Sequence, residues 1–327
     1  MGACAAARPG TAARSDLGGT AVIVVPVRRE RILGYFAVAL AFFQIVFGAI
    51  VRITESGMGC GDHWPKCEGR FFPPLDRPDL IIEVTHRYIA LALSLVVVAL
   101  LLAAINRHRS GGPDLRRPAW LAAVLVIAAA LLGAVTVKLV LPPLVVVAHK
   151  TLAIALLATL AWFTVRAGGF GAATQSSLPA ATPRTRRSTT ALAAFIFLIV
   201  VLGALTANVP AAAGSCAGFP HCREIFSDGV PLWLHLAHRF IAFAVIGHVI
   251  GVFVGVRRRG ESDVIRRGVP LALILVVAQV LLAAAMVEMR FPLVLRSAHQ
   301  AVGSLIWLTV FTLALLTRVS VREEPAV

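Results

Sequence analysis

Four histidines, His86, His149, His238 and His299, fall in four separate long apolar stretches, each a few residues inside one end of its stretch. Neutral imidazole is a common axial ligand for haem iron, and two imidazoles on facing helices of a bundle can clamp a flat macrocycle between them. The chemistry these residues could do is therefore the ligation of two haem irons, one by each pair. A single histidine near a helix end more often hydrogen-bonds in the interfacial zone. Recurrence of all four is harder to explain by packing, because ionisable groups inside a membrane are costly and mark function. His248, deeper in its stretch and without a counterpart, reads as a core histidine.

The recurrence is internal to the chain. Glu83-Val-Thr-His86-Arg87-Tyr-Ile-Ala aligns with His235-Leu-Ala-His238-Arg239-Phe-Ile-Ala at an offset of 152, and Ala148-His149-Lys150 with Ala298-His299-Gln300 at 150. Leu131-Leu-Gly-Ala-Val-Thr-Val-Lys138 matches Leu281-Leu-Ala-Ala-Ala-Met-Val-Glu288 at 150, so the chain reads as a duplication. The repeats differ three residues before the first histidine, where one has Glu83 and the other His235. That spacing puts both side chains on one helix face, so Glu83 is directed to the same cavity as His86. A carboxylate beside one site only points to chemistry at the first and electron handling at the second. The competing reading of Glu83 is a helix-start acid favoured by the helix dipole. Arg87 and Arg239 are candidates to pair with haem propionates, since guanidinium binds carboxylates bidentately; the alternative for both is interfacial snorkelling.

The elements that must carry these residues follow from composition. With 58% hydrophobic residues, 14% charged and a mean hydropathy of +0.85, the chain is outside the range of a soluble domain. Stretches long enough to cross a bilayer lie near 32–51, 80–105, 119–138, 145–165, 190–209, 232–256, 269–287 and 293–316. None alternates like a barrel strand, so the expected fold is an all-α integral membrane protein of eight transmembrane helices. An even number of spans per repeat gives two four-helix bundles related by a pseudo-twofold axis along the membrane normal.

The expected organisation is a basic tail at 1–31, disordered and not a signal peptide; a first half at 32–166; a linker at 167–188; a second half at 189–317; and a short tail at 318–327. The net charge of +15 collects in alternate loops, including Arg107, Arg109, Arg116 and Arg117, then Arg184, Arg186 and Arg187, then Arg257 to Arg259 with Arg266 and Arg267. Those loops and both termini are expected on the cytoplasmic side, which places the four histidines near the external face. The basic balance then reflects topology and anionic membrane lipid, and does not imply nucleic acid.

The first and third external loops carry Cys60 with Cys67 and Cys216 with Cys222, while Cys4 is alone in the tail. An oxidising compartment favours two local disulfides, Cys60–Cys67 and Cys216–Cys222. A thiolate metal site with His63 or His221, and a redox or haem-handling role, stay open, although neither spacing is that of a zinc site. Gly57, Gly59, Gly61 and Pro65 make the first loop a tightly turned candidate lid.

Glu83-x-x-His86-Arg87, His149, His238-Arg239 and His299, the two cysteine pairs, and the stretch Gly48-Ala-Ile-Val-Arg-Ile-Thr-Glu-Ser-Gly-Met-Gly-Cys60 together resemble haem A synthase of the cysteine-containing bacterial type, over about residues 32–316. The resemblance implies a cell-membrane oxidoreductase that oxidises the C8 methyl of haem O to a formyl group, giving haem A for cytochrome c oxidase. Oxygen would be the oxidant and a ferredoxin-like protein the electron donor, with a haem O-forming enzyme and oxidase assembly factors as candidate partners. Carried onto this chain, it gives His86 and His149 to the substrate haem near a catalytic Glu83, and His238 and His299 to a haem b cofactor. Three other readings compete. A bis-histidine cytochrome that only passes electrons explains the histidines but not Glu83. A duplicated proton-coupled transporter would need spans broken near mid-membrane. A haem O-forming prenyltransferase would need aspartate-rich motifs, and no expected span contains an aspartate.

Overall fold

The computed structural model describes residues 22–24, 27–74, 76–112 and 114–319. Eight long apolar helices have the length and composition to cross a membrane: α1 (Arg28–Ile53), α2 (Pro78–Arg109), α3 (Arg116–Lys138), α4 (Pro143–Arg166), α6 (Pro183–Asn208), α7 (Gly229–Arg259), α8 (Asp263–Glu288) and α9 (Leu293–Leu316). A four-residue helix, α5 (Ala172–Gln175), lies between α4 and α6. Most helices overrun the expected apolar stretches at one or both ends, because hydropathy marks only the lipid-facing core while polar first and last turns stay helical. Proline opens α2, α4 and α6, where its missing N–H belongs to a donor with no partner in the helix anyway.

Within α1–α4 each helix touches the next and α4 returns to α1; α6–α9 close in the same way. The two groups meet through α1, α4, α6 and α9. Lipid offers no water-driven force for helix association, so close packing depends on small residues. Ala37, Ala41, Ala104, Ala119 and Ala122 are almost wholly buried, and a Cβ at Gly34 would come within 2.6 Å of Thr164 Oγ1. Polar groups that remain inside are tied down: the Trp307 indole donates to the Ile154 carbonyl at 2.9 Å across the two groups, and the Thr136 and Thr151 hydroxyls donate back to carbonyls one turn earlier.

The expected tail at 1–31 is corrected where it is described. Val22 and Val24 are buried, Val22 bridges Val319, the Val27 amide donates to Ala167, and α1 already begins at Arg28. Residues 22–24 and 27–31 are held by apolar contacts and backbone hydrogen bonds that local composition does not reveal; the rest of that tail lies outside the described residues. The expected linker contains α5 and the first turns of α6, whose start is capped by the Thr182 side chain accepting from the Thr185 amide.

Candidate functional site

The four histidines are seated in matching ways. His86 on α2 lies against Gly48 of α1, His149 on α4 against Gly133 of α3, and His238 on α7 against Gly203 of α6. A Cβ at those glycines would fall 2.8, 3.1 and 2.9 Å from the respective imidazole Cε1. Any larger residue would push the ring out of its seat. The position 150 residues after Gly133 is Ala283, and there a glutamine secures the fourth ring. The Gln279 amide lies 3.2 Å from His299 Nε2 and donates to the His299 carbonyl at 3.0 Å. Gln44 holds His86 in the same manner, at 3.3 Å from Nε2 and 3.1 Å from the carbonyl. His149 is bonded through Nδ1 to the Ala129 carbonyl at 2.9 Å.

His238 and His299 share the wall of a cavity of about 210 Å³ lined mainly by α6, α7, α8 and α9, with Arg52 of α1 and Lys150 of α4 reaching it. Nδ1 of His86, His238 and His299 is buried with no hydrogen-bond partner among the described residues, and Oε1 of Gln44 and Gln279 likewise. Buried polar atoms left without a partner on rings held by their surroundings fit a pocket that a bound ligand completes. Among the described residues no three of His, Cys, Asp and Glu cluster to hold an ion by themselves. Paired imidazoles therefore suit an iron whose remaining coordination comes with a macrocycle. His248 bonds the Ser188 carbonyl at 3.0 Å and packs edge-on to Phe195, as a core histidine would.

Glu83 is 3% exposed, and both of its oxygens are engaged. Oε2 accepts the Cys60 amide at 2.8 Å and Oε1 pairs with Arg87. Arg87 in turn donates to the carbonyls of His63 at 3.0 Å and Lys66 at 3.1 Å. The carboxylate is thus tied to the cysteine loop and not to free amides of its own helix, which sets aside the helix-start reading. The other repeat uses the same i, i+4 arrangement with an imidazole. His235 is bonded through Nδ1 to Ala212 at 3.0 Å, and Arg239 donates to His235 Nε2 at 2.8 Å and to the Gly218 carbonyl at 2.7 Å. Arg87 and Arg239 thus tie the cysteine-bearing loops to the helices.

Disulfides join Cys60 to Cys67 and Cys216 to Cys222, so these sulfurs are not thiolate ligands to a metal. The first loop lies close on α2: a Cβ at Gly59 would stand 2.8 Å from the Asp79 carbonyl carbon. The second loop closes on a two-stranded ribbon, β1 (Cys216–Ala217) against β2 (Glu224–Ile225).

The sequence profile of the COX15-CtaA family, described as a cytochrome oxidase assembly protein, matches residues 31–80 and 76–311. The chain belongs to the COX15-CtaA family. Among curated relatives, it is 32% identical to the heme A synthase of Symbiobacterium thermophilum over 249 residues, covering 74% of this chain and 80% of the relative. It is 28% identical to the heme A synthase of Geobacillus thermodenitrificans over 312 residues, 91% and 95% of the two chains. The corresponding protein of Staphylococcus aureus is 28% identical over 303 residues, 89% and 96%. The COX15-CtaA match spans all four histidines, Glu83 and both disulfides. The glycine seats and the two glutamines were not singled out as site residues by sequence reasoning. Their one signal was the presence of Gly48 and Gly133 inside stretches already noted for resemblance or repetition.

Proposed function

We propose that the chain is a haem A synthase that oxidises the C8 methyl of haem O to a formyl group, with oxygen as oxidant and electrons from a ferredoxin-like donor. The observation that carries this reading is the pair of matched imidazole sites with an acidic anchor beside only one of them: Glu83 beside His86, and His235 in the corresponding place beside His238. Membership of the COX15-CtaA family and the name shared by its relatives support the same activity.

His86 and His149 would hold haem O as substrate in the first half, and His238 and His299 would hold a haem b in the second. The haem b, when bound, supplies one-electron transfer. The hydrogen bond from His149 Nδ1 to Ala129 fixes that tautomer and leaves Nε2 for iron. Gln44 and Gln279 orient the rings of His86 and His299. Converting a methyl to a formyl group removes two hydrogens, adds one oxygen and withdraws four electrons, so protons must be moved near the substrate. Glu83 holds and passes a proton at its carboxylate, poised by the Cys60 amide and Arg87. The Cys60–Cys67 loop, drawn down by the same two contacts, limits water at the first site. The halves arise from a duplication about an axis along the membrane normal, with both termini cytoplasmic and the histidines near the external face.

The test is to express the chain in cells that make haem O but no haem A, with an electron donor present, and to identify the extracted haems by chromatography and mass. Haem A beside haem B supports the synthase. Haem B alone, with haem O available, overturns it and leaves an electron-transfer cytochrome.

A further inference from the structure

The cavity between His238 and His299 has an unusual charge balance for a membrane interior. Arg52, Lys150, Arg239 and Arg296 all line it, and no aspartate or glutamate does. Arg239 has loop carbonyls and His235 as partners. The other three lack a carboxylate. Arg52 donates through Nη1 to the Ala207 carbonyl at 3.0 Å, Lys150 donates to the Gln300 side chain, and the Arg296 guanidinium has neither hydrogen bond nor ion pair among the described residues. Like charges gathered beside a low-dielectric cavity are costly unless an anion joins them.

Two of the three cations do not belong to the half whose cavity they line. Arg52 ends α1 and Lys150 lies on α4, yet both reach across the interface between the helix groups. Snorkelling would direct Arg52 towards water past the end of α1; instead it is turned towards Ala207 on α6.

We infer that Arg52, Lys150 and Arg296 form the carboxylate-binding end of the second-half haem site, so that the first half supplies two of the three groups that hold the propionates of the second half's haem. This rests on the reading of His238 and His299 as a haem site. It moves propionate binding from Arg87 and Arg239, whose guanidinium groups tie down the loops, to cavity-lining cations that hold no loop in place.

The experiment uses the full-length chain in detergent with His86→Ala, which restricts haem to the second site, and compares binding of haem b with that of its dimethyl ester. The parent should hold haem b at least about tenfold more tightly than the ester, because charge-assisted bonds are lost on esterification. The triple variant Arg52→Gln, Lys150→Met, Arg296→Gln should bind the two forms alike while keeping the low-spin bis-imidazole spectrum. Its haem midpoint potential should fall, since the removed cations favour the more negative, reduced state. If that variant does not fold, the single Lys150→Met variant is read by the same ratio, which should shrink.

Equal binding of haem b and ester by the parent, or full discrimination retained in the folded variants, overturns the inference. So does loss of co-purified phosphatidylglycerol from the triple variant with discrimination unchanged, which would make the cations a lipid site. A parent whose bis-imidazole spectrum survives His238→Ala overturns the underlying site reading, an outcome distinguishable from all of these.

Discussion

The loop between α1 and α2 is drawn onto its half by an acid, the loop between α6 and α7 by an imidazole. Around that difference almost everything else is shared: an arginine four residues on, a disulfide, a histidine in the next turn and a glycine facing it. On the proposed reading, two sites with the same scaffold and different ionisable anchors separate what holding a haem would require from what altering one would require. Packing, loop attachment and ring orientation are common to both. The buried carboxylate is particular to one, the half proposed for the substrate.

The largest expected effect is on the seats. Gly203→Leu should eject the His238 ring and abolish bound haem b, measured by the absorbance of the purified protein, whereas Gly48→Leu should keep that haem and lose haem A formation. If Gly48→Leu emptied both sites, the halves would not be separable as argued. Next, Glu83→His would give the first half the anchor of the second. Haem A output should drop roughly 10²–10⁴-fold, the range for losing a positioned acid or base, while the haem b spectrum stays. Unchanged output would remove the reason for treating the two anchors differently.

A smaller effect is expected from the bridges. Cys60→Ser with Cys67→Ser, or Cys216→Ser with Cys222→Ser, should each destabilise its loop by about 2–3 kcal/mol in the chain-entropy picture, seen as a lower thermal midpoint. Only the first pair should also slow haem A formation, because its loop carries the Glu83 contact. Smallest of all, Gln44→Leu and Gln279→Leu each remove one oriented amide worth about 1 kcal/mol. Haem O binding should weaken by about fivefold for the first and haem b binding similarly for the second, in titrations of each variant.

The helices and the chemistry-bearing residues were legible in the chain because both leave one-dimensional traces. Apolar runs mark spans, and repetition marked His86, His149, His238 and His299. The disulfides were legible as one of several uses for paired cysteines in equivalent loops. What could not be read is which helix faces meet. Gly203 is an ordinary glycine until α6 is set beside α7, and Gln279 an isolated polar residue until it meets His299. The cations show this most plainly. In the sequence, Arg52 is one residue of the stretch Gly48 to Cys60, and Lys150 one member of an aligned triplet. Their partners come from the other half of the chain, 155 and 150 residues away.

The contact between Lys150 and Gln300 also bears on why a molecule with two similar halves is one polypeptide. Two copies of the first half, paired through the same contact as Lys150 and Gln300, would set lysine against lysine at that point. Two copies of the second half would meet as glutamine against glutamine and would lack both Arg52 and Lys150. Only the unlike pairing gives an ammonium a neutral acceptor at that point. Joining the halves in one chain guarantees that pairing at every synthesis, with no dependence on two products finding each other in the bilayer.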